Sequence, residues 1–100
     1  MQEDSGEMIT SLNATTLMMG SPDYKERFRA EYYQLVIRYK KLKAMLSKWD
    51  RGELDYTPAC GRGVYSLQVI AMLNYMAVLE KRAELENIEV DSDYVWIGEE

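Results

Sequence analysis

Phe28, Tyr32, Leu35, Tyr39, Leu42, Leu46 and Trp49 follow one another at spacings of 4, 3, 4, 3, 4 and 3 residues. A heptad seam held this long predicts a helix packed along its length against another helix. Its start is marked by Ser21-Pro22-Asp23: serine or aspartate caps, proline suits the first turn, and Glu26 stands three residues after Asp23 as in a capping box. Its end is marked by Asp50-Arg51-Gly52, with Gly52 as the residue after the cap. The first helix is therefore expected over about residues 23–49.

Val69, Met72, Met76, Leu79 and Ala83 repeat the same 4-3 spacing and predict a second helix, about 64–87, whose seam faces the first. Ile70, Leu73, Tyr75, Ala77 and Val78 lie off that seam and need another partner. From Val64 to Leu79 the chain runs sixteen residues without a charge, with only Ser66, Gln68 and Asn74 plainly polar. A helix apolar around most of its circumference is buried around most of it. The run, about 24 Å of helix, falls short of a bilayer core of about 30 Å, so no membrane partner is expected. Copies of the chain are expected to cover it. The expected fold is all-α: an antiparallel helical hairpin assembling into a homo-oligomeric helical bundle.

Outside the hairpin the pattern is weaker. Residues 1–22 read as an arm with a helical turn around Ile9 to Leu12. Its Met8, Ile9, Leu12, Leu17 and Met18 either dock on a neighbouring subunit or stay disordered. The connector, 50–63, is long for a helix–helix link and is expected to pack around Leu54, Tyr56 and Cys60. The hairpin domain closes near residue 90. In the acidic tail, 91–100, Tyr94-Val95-Trp96-Ile97 reads as a short strand, a loose end or, the reading favoured here, an aromatic anchor on a neighbouring subunit.

One hundred residues make one domain, marginal as a monomer unless its core is supplemented. One cysteine and no histidine exclude an intrachain disulfide and remove the commonest general base and metal ligand. No catalytic residues, metal site or cofactor are expected, and the chain is not read as an enzyme. Cys60 reads as a small packed residue. The Met-Gln-Glu-Asp start has the wrong sign for a secretory leader, so a cytoplasmic location is expected.

Net charge is −5, unevenly spread. Asp23 to Arg51 holds nine basic and four acidic residues, +5; the rest holds three basic and thirteen acidic, −10. Such asymmetry suits helices packing on one another. The acidic remainder would repel phosphate backbones, so duplex nucleic acid is not an expected partner.

Three features carry candidate chemistry. Gly61-Arg62-Gly63 precedes the second helix, where free N–H groups and a fork-shaped guanidinium suit phosphate or carboxylate; the plain alternative is a glycine-rich loop entering a helix. Arg38 and Lys41, with Arg27, Lys40 and Lys48, form a basic face that is either solvated or open to an anionic ligand. Tyr33, Tyr56 and Tyr65 lie off the seam and are free to line a pocket, stacking on bases or bonding to phosphates. The expected ligand site is thus Gly61, Arg62, Gly63, Tyr65, Tyr56, Arg38 and Lys41, and the expected oligomer interface is Ile70, Leu73, Tyr75 and Ala77.

The segments DYKERFRAEYYQLVIRYKKLKAML, RGELDYTPAC and AMLNYMAVLEKRAELENIEV span residues 23–90 with the connector order Gly-x-Leu-Asp-aromatic-x-Pro-x-Cys. They resemble a family of small uncharacterised helical phage and prophage proteins named after a crAss-like phage. After the cysteine that family's pattern carries a proline and an acidic helix turn, where Gly61-Arg62-Gly63-Val64-Tyr65 stands here. The resemblance implies a phage origin, hence a host cytoplasm, and assigns no activity. The architecture is also similar to the helical-hairpin sponges of the anti-CBASS and anti-Thoeris type, which hold cyclic-nucleotide or ADP-ribose immune signals. Two functions are therefore weighed: sequestration of a small anionic nucleotide, and inhibition or regulation of a host protein, anti-CRISPR-like. A small virion structural protein stands as a third.

Overall fold

The computed structural model describes residues 12–91, and over that span every regular element is helical. A 3-10 turn, Asn13–Thr15, runs into a single-turn helix α1, Thr16–Met19. Two long helices follow, α2, Tyr24–Asp50, and α3, Arg62–Glu86, packed as a hairpin. The expectations for Met8, Ile9, Tyr94, Trp96 and Ile97 lie outside the described residues.

The ends of both long helices are set by local chemistry. The Asp23 carboxylate accepts the Lys25 N–H at 2.9 Å while the Asp23 N–H donates to Ser21 Oγ at 3.0 Å. α2 closes as a Schellman motif: Gly52 adopts φ +73°, its N–H donates to Trp49 O at 2.9 Å, and Glu53 N–H reaches Lys48 O at 2.8 Å. α3 closes the same way with Asn87 in the left-handed region, φ 58° and ψ 46°. Ile88 N–H then reaches Ala83 O at 2.9 Å, and Ile88 turns into the core.

The two seams meet as the spacing predicts. Phe28, Tyr32 and Leu35 pack with Met72, Met76, Leu79 and Ala83. Tyrosine–carboxylate bonds stitch the rims: Tyr32 Oη donates to Glu80 Oε2 at 2.7 Å, Tyr24 Oη to Glu86 Oε1 at 3.3 Å, and Tyr75 Oη to Glu31 Oε2. Arg82 bonds Glu86 at 2.9 Å and lies 4.9 Å over the Phe28 ring.

Burial is distributed differently from expectation. The helix buried on most sides is α2, where Ala30, Tyr33, Val36 and Ile37 are covered in addition to the seam. The reason is the arm. Thr15 is fully buried; its hydroxyl donates to Leu12 O at 2.6 Å and accepts from Gln34 Nε2 at 2.8 Å. Leu12 and Met18 pack on the chain's own core, while Leu17 is exposed. So the described part of the arm folds back on α2, with its helical turn at 13–19. Past α3, the Asp91 N–H donates to Tyr33 Oη at 3.1 Å and Glu89 O accepts from Arg29 Nε at 2.6 Å. Tyr33 is therefore core, not pocket lining.

The helix that carries the uncharged run is the one left open. Val64, Leu67, Ile70, Leu73, Val78 and Leu85 of α3 are all exposed. By length and composition α3 could cross a membrane, and little of it is buried. The uncharged run alone is too short for that. The helix itself extends through Arg62 at one end and Glu80–Glu86 at the other.

Candidate functional site

Two elements converge at the connector end of the hairpin. Arg62 is the first residue of α3 and Asp50 the last of α2. Arg62 Nε donates to Asp50 Oδ1 and Nη2 to Asp50 Oδ2, both at 3.1 Å, and Nη1 donates to Ser66 Oγ at 2.8 Å. This is the two-pronged geometry that guanidinium makes with carboxylate or phosphate. The Arg62 hydrogen bond holds the Asp50 carboxyl below its ordinary range, and the Asp50 hydrogen bond lifts Arg62.

The pair borders a cleft of about 290 Å³ between the two helices. Its polar wall is Lys43, Ser47, Asp50, Arg62 and Ser66; its floor is Leu46, Val69 and Ile70. Lys43, Ser47 and Asp50 reach one flank of α2 because their 4 and 3 spacing keeps them on one face, and Ser66 follows Arg62 by one turn. The formal charge of the wall is +1: Lys43 and Arg62 against Asp50. A ligand phosphate could enter by displacing the Asp50 carboxylate from the Arg62 fork.

Trp49 meets Tyr65 edge-on, with ring centroids 5.8 Å apart. The Tyr65 phenol is pushed up by desolvation first, then by Cys60, to which it hydrogen-bonds, and by Tyr56. Cys60 is a free, exposed thiol rather than a packed residue. Tyr56 is exposed too, so the connector around 56–60 lies on the surface where a packed loop is expected. Tyr56 lines a neighbouring cleft of the same volume, about 290 Å³, with Lys48 and Asp55.

The seven residues expected to bind ligand thus separate. Gly61, Arg62, Gly63, Tyr65 and Tyr56 gather around the connector. A Cβ built at Gly61 or Gly63 meets nothing within 4 Å, so the approach to the helix start is open. Arg38 and Lys41 do not join them: twelve and nine residues before Asp50, they stand about 18 Å and 13 Å back along α2, and neither lines the Arg62 cleft. Lys43, Ser47, Asp50 and Ser66 are the members that motif reading misses. Their signal was the flank beside the Leu46–Trp49 seam, read against the position of Arg62.

A third cleft, open and near 570 Å³, lies at the far end beside Lys25 and Arg29. Both cations already donate to carbonyls there, Lys25 to Asn87 O at 3.2 Å and Arg29 to Glu89 O.

A family model described as Sequestin matches residues 22–85, well over half of the chain. The chain belongs to the Sequestin family. The match covers α2, the connector and α3 up to Leu85, and so contains every residue of the Arg62 cleft. By its name the family suggests binding and holding rather than converting a ligand, which accords with a cleft built from one ion pair, a lysine and two hydroxyls. No curated protein and no solved structure matches the chain.

Proposed function

We propose that this Sequestin-family chain is a phage-encoded counter-defence protein. In this reading it sequesters a small anionic nucleotide signal, a cyclic nucleotide or ADP-ribose derivative, in the host cytoplasm without cleaving it. The observation that carries the reading is the Arg62 fork, which holds a carboxylate at 3.1 Å on two nitrogens where a phosphate would fit. Lys43, Ser47 and Ser66 supply further donors, Leu46 and Val69 an apolar floor, and Tyr65 a ring at the rim. Capture rather than turnover is the role that the family's name suggests. The exposed face of α3 supports self-association into a homo-oligomeric bundle, with Ile70, Leu73, Tyr75 and Ala77 at or beside the contact.

The test is a thermal-shift screen of the full chain against cyclic di- and trinucleotides and ADP-ribose compounds, followed by calorimetry on any hit. A ligand at about 100 times its Kd adds about 2.7 kcal/mol of stability. The expected result is one compound class raising Tm by several degrees, recovered intact from the complex and lost with Arg62→Ala. A flat screen, or a hit that Arg62→Ala binds equally well, overturns the reading.

A further inference from the structure

The clefts at the two ends of the hairpin open on one flank of it. On α2, Arg29 borders the far cleft and Lys43 and Ser47 the Arg62 cleft; Tyr32, Val36 and Tyr39 continue the same stripe between them at helical spacing. On α3 the matching stripe is Glu84, Glu80, Ala77, Leu73, Ile70 and Ser66, spaced 4, 3, 4, 3 and 4. Tyr32 bonds Glu80 and Asp50 bonds Arg62, so Tyr39 stands level with Leu73 and Lys43 with Val69. A furrow therefore joins the clefts. Its α3 bank is apolar and open, with Leu73 44% and Ile70 55% exposed.

The chain leaves α3 along this flank. Glu89 O accepts from Arg29 and the Asp91 N–H donates to Tyr33, so residues 89–91 travel along α2 away from the far cleft and toward the Arg62 cleft. Nine residues follow, SDYVWIGEE, with three acids and no cation.

We propose that segment 92–100 continues along the furrow, lays Tyr94 to Ile97 over Leu73 and Ile70, and sets Glu99 and Glu100 against Lys43 and Arg62. Direction, length and charge argue for this occupant. The direction is that of residues 89–91. From Tyr33 to Lys43 is about 15 Å of helix, and to Asp50 about 26 Å. Residues 92–99, extended, reach at most about 26–29 Å, which brings Glu99 to the cleft. Three to six residues past Asp91, about 10–20 Å, put the apolar run level with Leu73 and Ile70. At the far end of the path the glutamates meet the two cations of the cleft wall.

The consequence is regulatory, and it rests on the capture reading given above. Glu99 and Glu100 join Asp50 as carboxylates competing for the Arg62 fork, so a bound anion must displace the chain's own acidic segment. Leu67, Val78 and Leu85, on the outer side of α3, stay clear of the furrow.

The test is zero-length carbodiimide cross-linking of the full chain, read by peptide mass spectrometry, with inorganic pyrophosphate as the anionic probe. The expected product links the Lys43 amine to Glu99 or Glu100. In an equal mixture of unlabelled and nitrogen-15-labelled protein, both linked peptides should carry the same label. Saturating pyrophosphate should suppress the link. By calorimetry, the paired Glu99→Gln and Glu100→Gln variant should bind pyrophosphate several-fold more tightly than the native chain.

Absence of the Lys43 link, or links to Lys48 or Lys81 in its place, overturns the proposal. Mixed-label links assign the furrow to the segment of a second copy and overturn it as well. Equal pyrophosphate affinity in the native chain and the variant overturns the competition for the cleft. If neither binds pyrophosphate while the Lys43 link forms, the capture reading falls and the segment's place in the furrow stands.

Discussion

Arg62 closes its guanidinium over the carboxylate of Asp50, so the last residue of α2 occupies the fork that opens α3. The bond joins the two helices at the connector, and it also occupies the best anion-binding group at the site. Removing the carboxylate charge should therefore strengthen ligand capture. Asp50→Asn is expected to bind a phosphate-bearing ligand more tightly than the unaltered chain, and Arg62→Ala not at all, by isothermal titration calorimetry. Equal affinity in Asp50→Asn would place the ligand elsewhere.

The same pair predicts an acid response. Asp50 is held below its ordinary value by its hydrogen bond to Arg62, and Glu86 by its bond to Arg82. A depressed folded-state value means that the contribution is present above the unfolded pKa, about 4, and is lost as pH falls through the folded one. Tm is expected to fall below about pH 4, and Asp50→Asn should remove the connector's share of that fall.

The opposite limb belongs to Tyr32. Burial first, and then its hydrogen bond to Glu80, raise the phenol well above its ordinary value of 10.0. For a raised value the contribution is complete below the unfolded pKa and is lost as pH rises past it. Urea midpoints should decline from about pH 10 upward. Tyr32→Phe, less stable near neutrality, should show a shallower decline; parallel curves would exclude Tyr32 as the cause.

Leu79 is 1% exposed at the centre of the α2–α3 seam. Leu79→Ala deletes a fully packed side chain and should cost about 2–5 kcal/mol of unfolding free energy, read from urea denaturation at an unchanged m-value. A loss under about 1 kcal/mol would mean that the seam collapses to fill the space.

Thr15 tests the docking of the arm. Its hydroxyl is buried and serves both Leu12 O and Gln34 Nε2. Thr15→Val keeps the volume and removes both hydroxyl bonds, while Leu12 O keeps the Thr15 N–H and Gln34 Nε2 keeps Met19 Sδ, so the cost is about 0.5–1.5 kcal/mol. The expected signature is local: faster amide exchange over residues 12–20 and along the Tyr33–Ile37 face of α2, with α3 protection unchanged.

The two seams, the Asp23 cap and the Gly52 stop were legible because each is a local rule. Heptad spacing says which side of a helix is apolar, and a cap needs only its own neighbours in sequence. The Arg62 site was half legible: glycines, arginine and aromatic residues stand together along the chain. Asp50, Lys43 and Ser47 enter only because an antiparallel partner brings its flank to the start of α3. Arg38 and Lys41 share a charge with that site but not a place, since rise per residue carries them down α2.

The sequence by itself determined that the chain forms two amphipathic seams, where each helix starts and stops, and that α3 carries more apolar surface than one partner can cover. Only the tertiary structure decided which helix is enclosed. α2, the more charged, is buried because the 12–19 arm and residues 88–91 both fold over it, an arrangement set by contacts up to 60 residues apart. α3 keeps its outer face open for the converse reason: no described segment returns to it.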